Sequence, residues 1–374
     1  MSFSVGFIGA YDAFHPRNAV LLTGLRQAGV EIHEFKVPIS DAMKSADVGT
    51  VTILGKAAAD AARARLVVEL QAAENLQLDV LFVAYPGHFL VPFAAAVAKL
   101  RGAKLVFDPL VSLSDTFAVD LRLMGDQSAA ARALWATDKT SMALPDLVLA
   151  DTITHARFFR KAFGVIDRRL AVVPVGALPV SEATGAARDL GGDKPMRVFM
   201  HGDWSPLHGA AAVLDAAEAL RDQGVRFDLA GEGELSGDLR KQIESRKLGN
   251  VEWLGLMPVH ELRERTLAAD VCLGLFGSSE KVARLIPEHA YDALACGRPL
   301  VTRESPAARE LLTDTETALL VPPADGVALT EALRRLLVRE ERARMGAAAL
   351  ALYRARLMPA AIADRLLEAL EAIL

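Results

Sequence analysis

Apolar residues fall along this chain in short blocks separated by amphipathic stretches, a strand-then-helix beat that runs through most of its length. Residues 4–35 read as a strand "SVGFIG", a loop "AYDAFHPRN", a helix "AVLLTGLRQA" and a second strand "GVEIHEF". Residues 196–231 repeat that order in "MRVFMHG", "DWSPLHG", "AAAVLDAAEALRDQ" and "GVRFDLAG". In each repeat a Gly-Val pair ends the helix and opens the next strand. Further apolar blocks read as strands: "LDVLFVAY", "AKLVFDP", "DLVLAD" and "RLAVVPV" first, then "VEWLGL", "DVCLGLF" and "RPLVT". Strands this apolar, spaced by helices, predict an α/β fold of two doubly wound parallel sheets, each covered on both faces.

The stretch "PVSEATGAARDLGGDKP" (179–195) is polar, glycine-bearing and aperiodic, and reads as a linker. It divides the chain into a first domain, residues 1–178, and a second, residues 179–358. The closing helix, 359–374, carries an apolar stripe of Ile362, Leu366, Leu370 and Ile373 and is expected to pack back on the first domain. Doubly wound sheets bind ligands at the carboxyl ends of their strands, so two such domains facing each other predict a site in a cleft between them. One stretch, "LFVAYPGHFLVPFAAAVAKL" (81–100), approaches the length of a membrane span. Pro86, Gly87, His88 and Pro92 interrupt it, which predicts strand, loop and helix instead.

Size and composition narrow the chemistry. A chain of 374 residues, 52% hydrophobic and 24% charged, has enough apolar material for two cores. A net charge of −5 argues against a general nucleic-acid binder. Cys272 and Cys296 show no paired spacing, so no disulfide framework or zinc site is expected, and a reducing cytoplasm is the expected setting. The opening "MSFSVGFIGAYD" does not read as a secretory signal. In "HARFFRKAFGVIDRR" (155–169) phenylalanines stand among five cations, a composition suited to an anionic lipid surface at the inner face of a membrane; a solvated helix face is the alternative. His-Glu-x-x-His, a Walker loop, a Gly-x-Ser-x-Gly elbow and a Gly-x-Gly-x-x-Gly turn at residue 9 are all missing. Zinc hydrolysis, ATP-loop phosphoryl transfer, serine hydrolysis and dinucleotide redox chemistry therefore lack their parts.

Several strand ends carry groups suited to binding. In "HGDWSPLHG" (201–209), Gly202 and Gly209 allow a ligand to approach the backbone, the following helix start offers N–H groups to an anion, and His208 adds a donor. Gly231 in "LAGEGEL" marks a second such turn. In "PEHAYDALACGRP", Pro287 suits a helix start, Gly297 its stop, and Pro299 forbids continuation. Glu288 and Asp292, four apart, share one helix face. A carboxylate there can accept both hydroxyls of a ribose; the alternative is two acids favoured by the helix dipole. In the first half, strand ends display Asp12, His15 and Arg17, then His88, then Asp108, Ser112, Ser114 and Asp115, then Asp151 and Thr152. His88, Asp108 and Asp115 are the candidate bases or orienting groups for an acceptor hydroxyl, with Asp12, His15, Arg17 and Ser112 lining the acceptor side. Caps and satisfied core histidines are the alternatives.

"LACGRPLVT" followed by "SPAARELL" and "TALLVPPADGVALTEAL" resembles the nucleotide-sugar domain of retaining GT-B glycosyltransferases of the group 1, GT4-like family. "YDAFHPRNAVLLTGLRQAGVE" and "SPLHG" resemble a bacterial subgroup of it. The likeness covers essentially the whole chain and is strongest over 196–335. It implies a GT-B fold and a metal-independent, cofactor-free hexosyl transfer from a nucleotide diphosphate sugar to an acceptor hydroxyl, in cell-surface polysaccharide, glycolipid or glycoconjugate synthesis. UDP-, GDP- and ADP-sugars fit it equally. The family's ribose-binding acid falls on Asp292, shortened from Glu, and Gly9 and Ala10 resemble its donor-phosphate turn. Where the family has its first acid this chain has Arg284, and where it has the Arg and Lys of the phosphate loop this chain has Asp203 and His208. The subgroup's Pro-x-Lys is Pro287-Glu288-His289. Lys281, Arg284 and Arg298 are then the expected phosphate cations, with Arg284 foremost. These departures keep two alternatives open: a nucleotide-sugar-binding protein of weak catalysis, and a GT-B phosphorylase or epimerase.

Overall fold

A computed structural model describes residues 3–10, 15–37, 76–120, 128–180 and 195–374. The chain divides into two compact units, Met1–Val175 with Pro359–Leu374, and Gly176–Met358. Of the stretch read as a linker, residues 181–194 lie outside the described residues, as does Asp12.

The first unit is a six-stranded sheet of β1 (Ser4–Ala10), β2 (Glu31–Val37), β3 (Val80–Val83), β4 (Lys104–Phe107), β5 (Leu147–Ala150) and β6 (Leu170–Val172). The order is β2-β1-β3-β4-β5-β6 and every pair is parallel. Each residue of β3 and β5 is buried, because helices cover both faces and no position is left for water. Those helices are α1 (Pro16–Gln27), α2 (Val91–Arg101), α3 (Ala129–Ala143) and α4 (Ile153–Phe163). The stretch 81–100 is thus strand, loop and helix, and among the described residues no helix is long and apolar enough to cross a membrane. On α4, Phe159 and Phe163 point into the core and Phe158 packs at its edge. Of the phenylalanines in the stretch 155–169, Phe159 and Phe163 are thus buried and Phe158 half-buried, while Arg157, Arg160 and Lys161 are turned outward with Ile166.

The C-terminal helix, Pro359–Glu371, packs on α1 within this unit and buries Ile362, Leu366 and Leu370; Ile373 is only half-buried. The approach is close: a Cβ on Gly24 would lie 2.1 Å from the Pro359 carbonyl oxygen. Gly24→Val is therefore expected to push the two helices apart and cost about 1–3 kcal/mol, measurable as a lowered urea midpoint.

The second unit is built from β7 (Met196–His201), β8 (Val225–Ala230), β9 (Val251–Gly255), β10 (Val271–Leu273), β11 (Leu300–Arg303) and β12 (Leu319–Val321). The order is β12-β11-β10-β7-β8-β9, again all parallel. Helices α5 (Ala210–Ala219), α6 (Ser236–Ser245), α7 (Val259–Ala268), α8 (Glu280–Arg284), α9 (Glu288–Ala295), α10 (Pro306–Leu311), α11 (Gly326–Arg335) and α12 (Arg339–Arg356) surround it. Strand β12 is absent from the sequence reading, because three apolar residues between Ala318 and Pro322 are too short a run to separate from a loop.

In each sheet the first strand lies between strands reached in opposite directions. From β7 the chain steps outward to β8 and β9, then crosses to β10 and steps out the other way. The crevice at the carboxyl ends of β7 and β10 is the switch point where such sheets take ligands; β1 and β3 form its counterpart in the first unit.

Candidate functional site

At the switch point of the second unit, two glycine turns pack backbone on backbone. A Cβ on Gly231, whose φ is +108°, would lie 1.9 Å from the Gly202 carbonyl oxygen. One on Gly233 would lie 1.4 Å from that of Asp203. Only glycine leaves this space. Trp204 anchors the first turn: it is fully buried, its φ is +35°, and its indole N–H donates to the Ala230 carbonyl at 2.9 Å. The turn then closes on the end of β10, where the Phe276 and Gly277 amides donate to the His208 and Leu207 carbonyls at 3.2 and 2.9 Å. Gly209, at φ +59°, is both this turn's stop and the N-cap of α5. The first amides of α5 thus start beside the turn, where a helix leaves its N–H groups without helical acceptors.

Three imidazoles stand at this point. His201 ends β7, His208 closes the turn, and His289 is the second residue of α9. The rings of His201 and His289 are 5.2 Å apart, edge to face, and those of His208 and His289 are 6.3 Å apart and nearly parallel. His208 Nδ1 accepts the Ser205 amide at 3.3 Å, and its Nε2 sits 1.9 Å from the place a Cβ on Gly202 would take. His289 is hydrogen-bonded to the Gly274 carbonyl at the end of β10, while its Nε2 is buried without a partner. Burial, then the neighbouring imidazoles of His201 and His208, hold His289 well below its ordinary range; burial, then His208, hold His201 down to about 4. The sequence reading found His208 but not the cluster, since no spacing along the chain relates residues 201, 208 and 289.

The expected cations are distributed unevenly. Lys281 and Arg284 lie on α8, which follows the loop after β10, Lys281 buried and Arg284 half-buried. Arg298 precedes β11 and so lies at the amino end of the sheet, opposite the glycine turns, which removes it from the phosphate set. A cation the sequence reading missed, Arg303, ends β11 and donates to the Gly277 and Ser279 carbonyls at 2.5 and 3.2 Å, tying down the loop before α8.

Helix α9 begins after Pro287, its N-cap, carries Glu288 in its first turn, and stops at Cys296 and left-handed Gly297. Asp292, one turn in, is half-buried. Burial raises its carboxyl to about 6 against the opposing pull of Arg263 on α7, with Glu288 adding to the rise. Asp292 in turn pushes up the Cys296 thiol, already raised by burial, to about 12. Both cysteines are unpaired, and among the described residues no His, Cys, Asp and Glu group is arranged to hold a metal ion.

The first unit's candidates meet in two buried networks. Arg17, in the first turn of α1, donates to both Asp108 oxygens, at 2.6 and 3.3 Å, and to the Val173 and Pro174 carbonyls at 2.6 and 2.7 Å. Both side chains are inaccessible to water, so Asp108 meets Arg17 rather than an acceptor, and Arg17 is a clamp across the ends of β1, β4 and β6. Asp138 on α3 accepts from the Ser112 hydroxyl, the Leu113 amide, and the amide and hydroxyl of Ser114, all within 2.9 Å. Ser112 is therefore turned inward, away from any acceptor-side surface. His88 is buried beside this network, with Nε2 3.0 Å from the Val111 carbonyl and Nδ1 without a partner. Burial lowers its affinity for a proton, against the pull of Asp138 and Asp108. Asp115 is buried in the following turn. At the β1–β3 switch point lie Gly9, Ala10, and His15, whose ring is 5.3 Å from that of Tyr85. Asp151 and His155 make a pair that the sequence reading did not connect, Nδ1 to Oδ1 at 2.6 Å, beyond the end of β5.

Residues 195–339 match the family model described as glycosyl transferases group 1. D-inositol 3-phosphate glycosyltransferase of Geodermatophilus obscurus is 26% identical over 283 residues, 69% of this chain and 56% of the relative. A colanic acid biosynthesis glycosyltransferase, WcaL of Escherichia coli, is 30% identical over 147 residues, 37% of this chain and 35% of the relative. The chain spans little more than half the length of the first relative and about a third of the second. In structure it is similar to Anabaena HepE, solved in complex with UDP, at a TM-score of 0.67 and 16% identity, covering 99% of this chain and all of HepE. It is equally similar to the sucrose-phosphate synthase of Thermosynechococcus elongatus, at 0.67 and 15%, covering 98% of each. With its two six-stranded parallel sheets the chain has the GT-B fold, and its residues 195–339 are similar to the glycosyl transferases group 1 family.

Proposed function

We propose that the chain is a glycosyltransferase that moves a sugar from a nucleoside diphosphate sugar to an acceptor hydroxyl with retention, in the making of a cell-surface polysaccharide, glycolipid or glycoconjugate. The observation that carries this reading is the second unit's switch point. There two glycine turns, the start of α5 and three imidazoles converge inside the segment matched by the group 1 model. When the glycosidic bond to the donor breaks, negative charge grows on the departing diphosphate. Amides and the His208 N–H, fixed beforehand, stabilise that charge without reorganising. Asp292, Glu288 and Pro287 on α9 complete the donor side, with the Asp292 carboxylate accepting the ribose hydroxyls. Lys281 and Arg284 add positive charge from α8, and within the first unit His15, His88 and Asp115 are the candidates for meeting an acceptor hydroxyl. UDP complexes of HepE support a nucleotide donor.

The test is incubation with UDP-, GDP- and ADP-hexoses and pooled hydroxyl acceptors, following nucleoside diphosphate release and the anomeric configuration of the product. Transfer with retained configuration is expected. Free sugar without transfer to any hydroxyl would sink the reading. The exposed Asp203, standing where the family carries a cation, favours a second reading, a donor-binding protein of weak turnover; tight nucleotide binding with no product from any acceptor supports that one. Either way, Gly202→Ala is expected to displace the His208 ring and weaken nucleotide-sugar binding about tenfold by calorimetry, roughly the worth of one hydrogen bond.

A further inference from the structure

The three imidazoles differ in which of their nitrogens is already committed. His208 accepts the Ser205 amide on Nδ1, so its neutral form carries the proton on Nε2 and is already a donor beside Gly202. His289 is the reverse. Its Nδ1 is committed to the Gly274 carbonyl, so in the neutral ring the buried, unpartnered Nε2 is a bare lone pair. An anionic oxygen cannot rest against a lone pair. It can do so only once Nε2 holds a proton, which converts a repulsive contact into a charge-assisted hydrogen bond.

The surroundings explain why that proton is absent beforehand. Among the described residues, the titratable groups that the rings meet include one another and, from the turn after β7, Asp203, whose Oδ1 is 3.4 Å from His208 Nδ1 but largely exposed. The end of β10 contributes the uncharged Gly274 carbonyl. A proton placed on His289 meets burial and two neighbouring imidazoles, and little to offset them. A phosphate group in the crevice supplies the missing opposite charge.

We propose that His201, His208 and His289 form a proton-linked cradle for the donor diphosphate, in which His208 donates as a neutral ring and His289 takes up a proton on Nε2 as the anion arrives. The proposal rests on the donor-binding reading above and adds to it the group that binds and the proton that accompanies binding. Nucleotide-sugar binding then draws one proton from solution in the limit, and affinity weakens as pH rises, towards tenfold per pH unit where uptake is complete.

Isothermal titration of the whole chain with UDP-, GDP- and ADP-glucose between pH 6.5 and 8.5, in buffers of different ionisation enthalpy, measures the uptake. These diester diphosphates lack the ionisation near pH 6 of a phosphate monoester, so the proton counted belongs to the protein. Net uptake that grows towards pH 6.5 is expected. His289→Gln is expected to abolish it, whereas His208→Gln weakens binding at every pH and leaves the uptake in place. Wild-type binding with heats independent of buffer overturns the proposal and leaves the donor-binding reading intact, whether or not either variant folds. Undiminished uptake in a folded His289→Gln protein overturns the assignment to His289. Failure of every nucleotide sugar to bind at any pH overturns the donor-binding reading, and the cradle with it.

Discussion

Arg17→Leu is expected to destabilise the first unit by about 3–5 kcal/mol, because it leaves the Asp108 carboxylate charged, buried and unpaired. The guanidinium is bonded to two oxygens of Asp108 and to the carbonyls of Val173 and Pro174, and each loses its donor in the variant. Urea unfolding should show an early transition absent from the wild type. The double variant Arg17→Leu with Asp108→Leu should recover much of the loss, since an apolar pair in place of a buried ion pair is often close to neutral. The same geometry makes a statement about chemistry. If Asp108 acts through Arg17, Asp108→Asn loses stability and keeps the pH profile of turnover. An Asp108→Asn protein of wild-type stability whose activity has vanished would instead make Asp108 a catalytic base.

Arg17 and Asp108 also show where a single sequence stops being informative. Both sit just after strand ends, where reactive groups are displayed, and from residue type alone a base and a clamp look the same. Ser112 and Asp138 repeat the lesson, since the acid that turns the Ser112 hydroxyl inward lies 26 residues away on another helix. The strands were readable because burial on both faces writes itself as unbroken apolar runs, and β12 escaped because three residues do not make a run. The turns at Gly202, Gly209 and Gly231 were readable for a related reason, since backbone approach admits few other residue types. The imidazole cluster was not. It is assembled by the sheet order, which brings β7 and β10 together across the switch point although β7 ends at His201 and β10 begins only at Val271.

Asp292→Asn is expected to move affinity and stability in opposite directions. Affinity for a nucleotide sugar should fall about 10–100-fold, because hydrogen bonds from ribose hydroxyls to a carboxylate are each worth about 1.5–3 kcal/mol and an amide keeps only part of that. Stability should rise. Folding lifts this carboxyl from its ordinary value near 4 to about 6, chiefly by burial and net of the attraction of Arg263, so the native state disfavours the charged form. The wild type bears that cost in full above pH 6 and sheds it as pH falls towards 4, where the acid is protonated in both states. The Asn variant should therefore be more stable by about 1–2 kcal/mol at pH 8, a shift of two units discounted for partial exposure, and equal to the wild type at pH 4. Wild-type affinity should decline as pH falls through 6 and Asp292 loses its charge, while the variant shows no such decline. Above pH 6.5 the imidazole cradle acts with the opposite sign, so the wild-type affinity profile is a bell with its maximum between the two. Its acid limb belongs to Asp292 and its alkaline limb to His289. Loss of the acid limb alone in Asp292→Asn would separate the ribose contact from the phosphate contact; an unchanged affinity would remove Asp292 from the donor site.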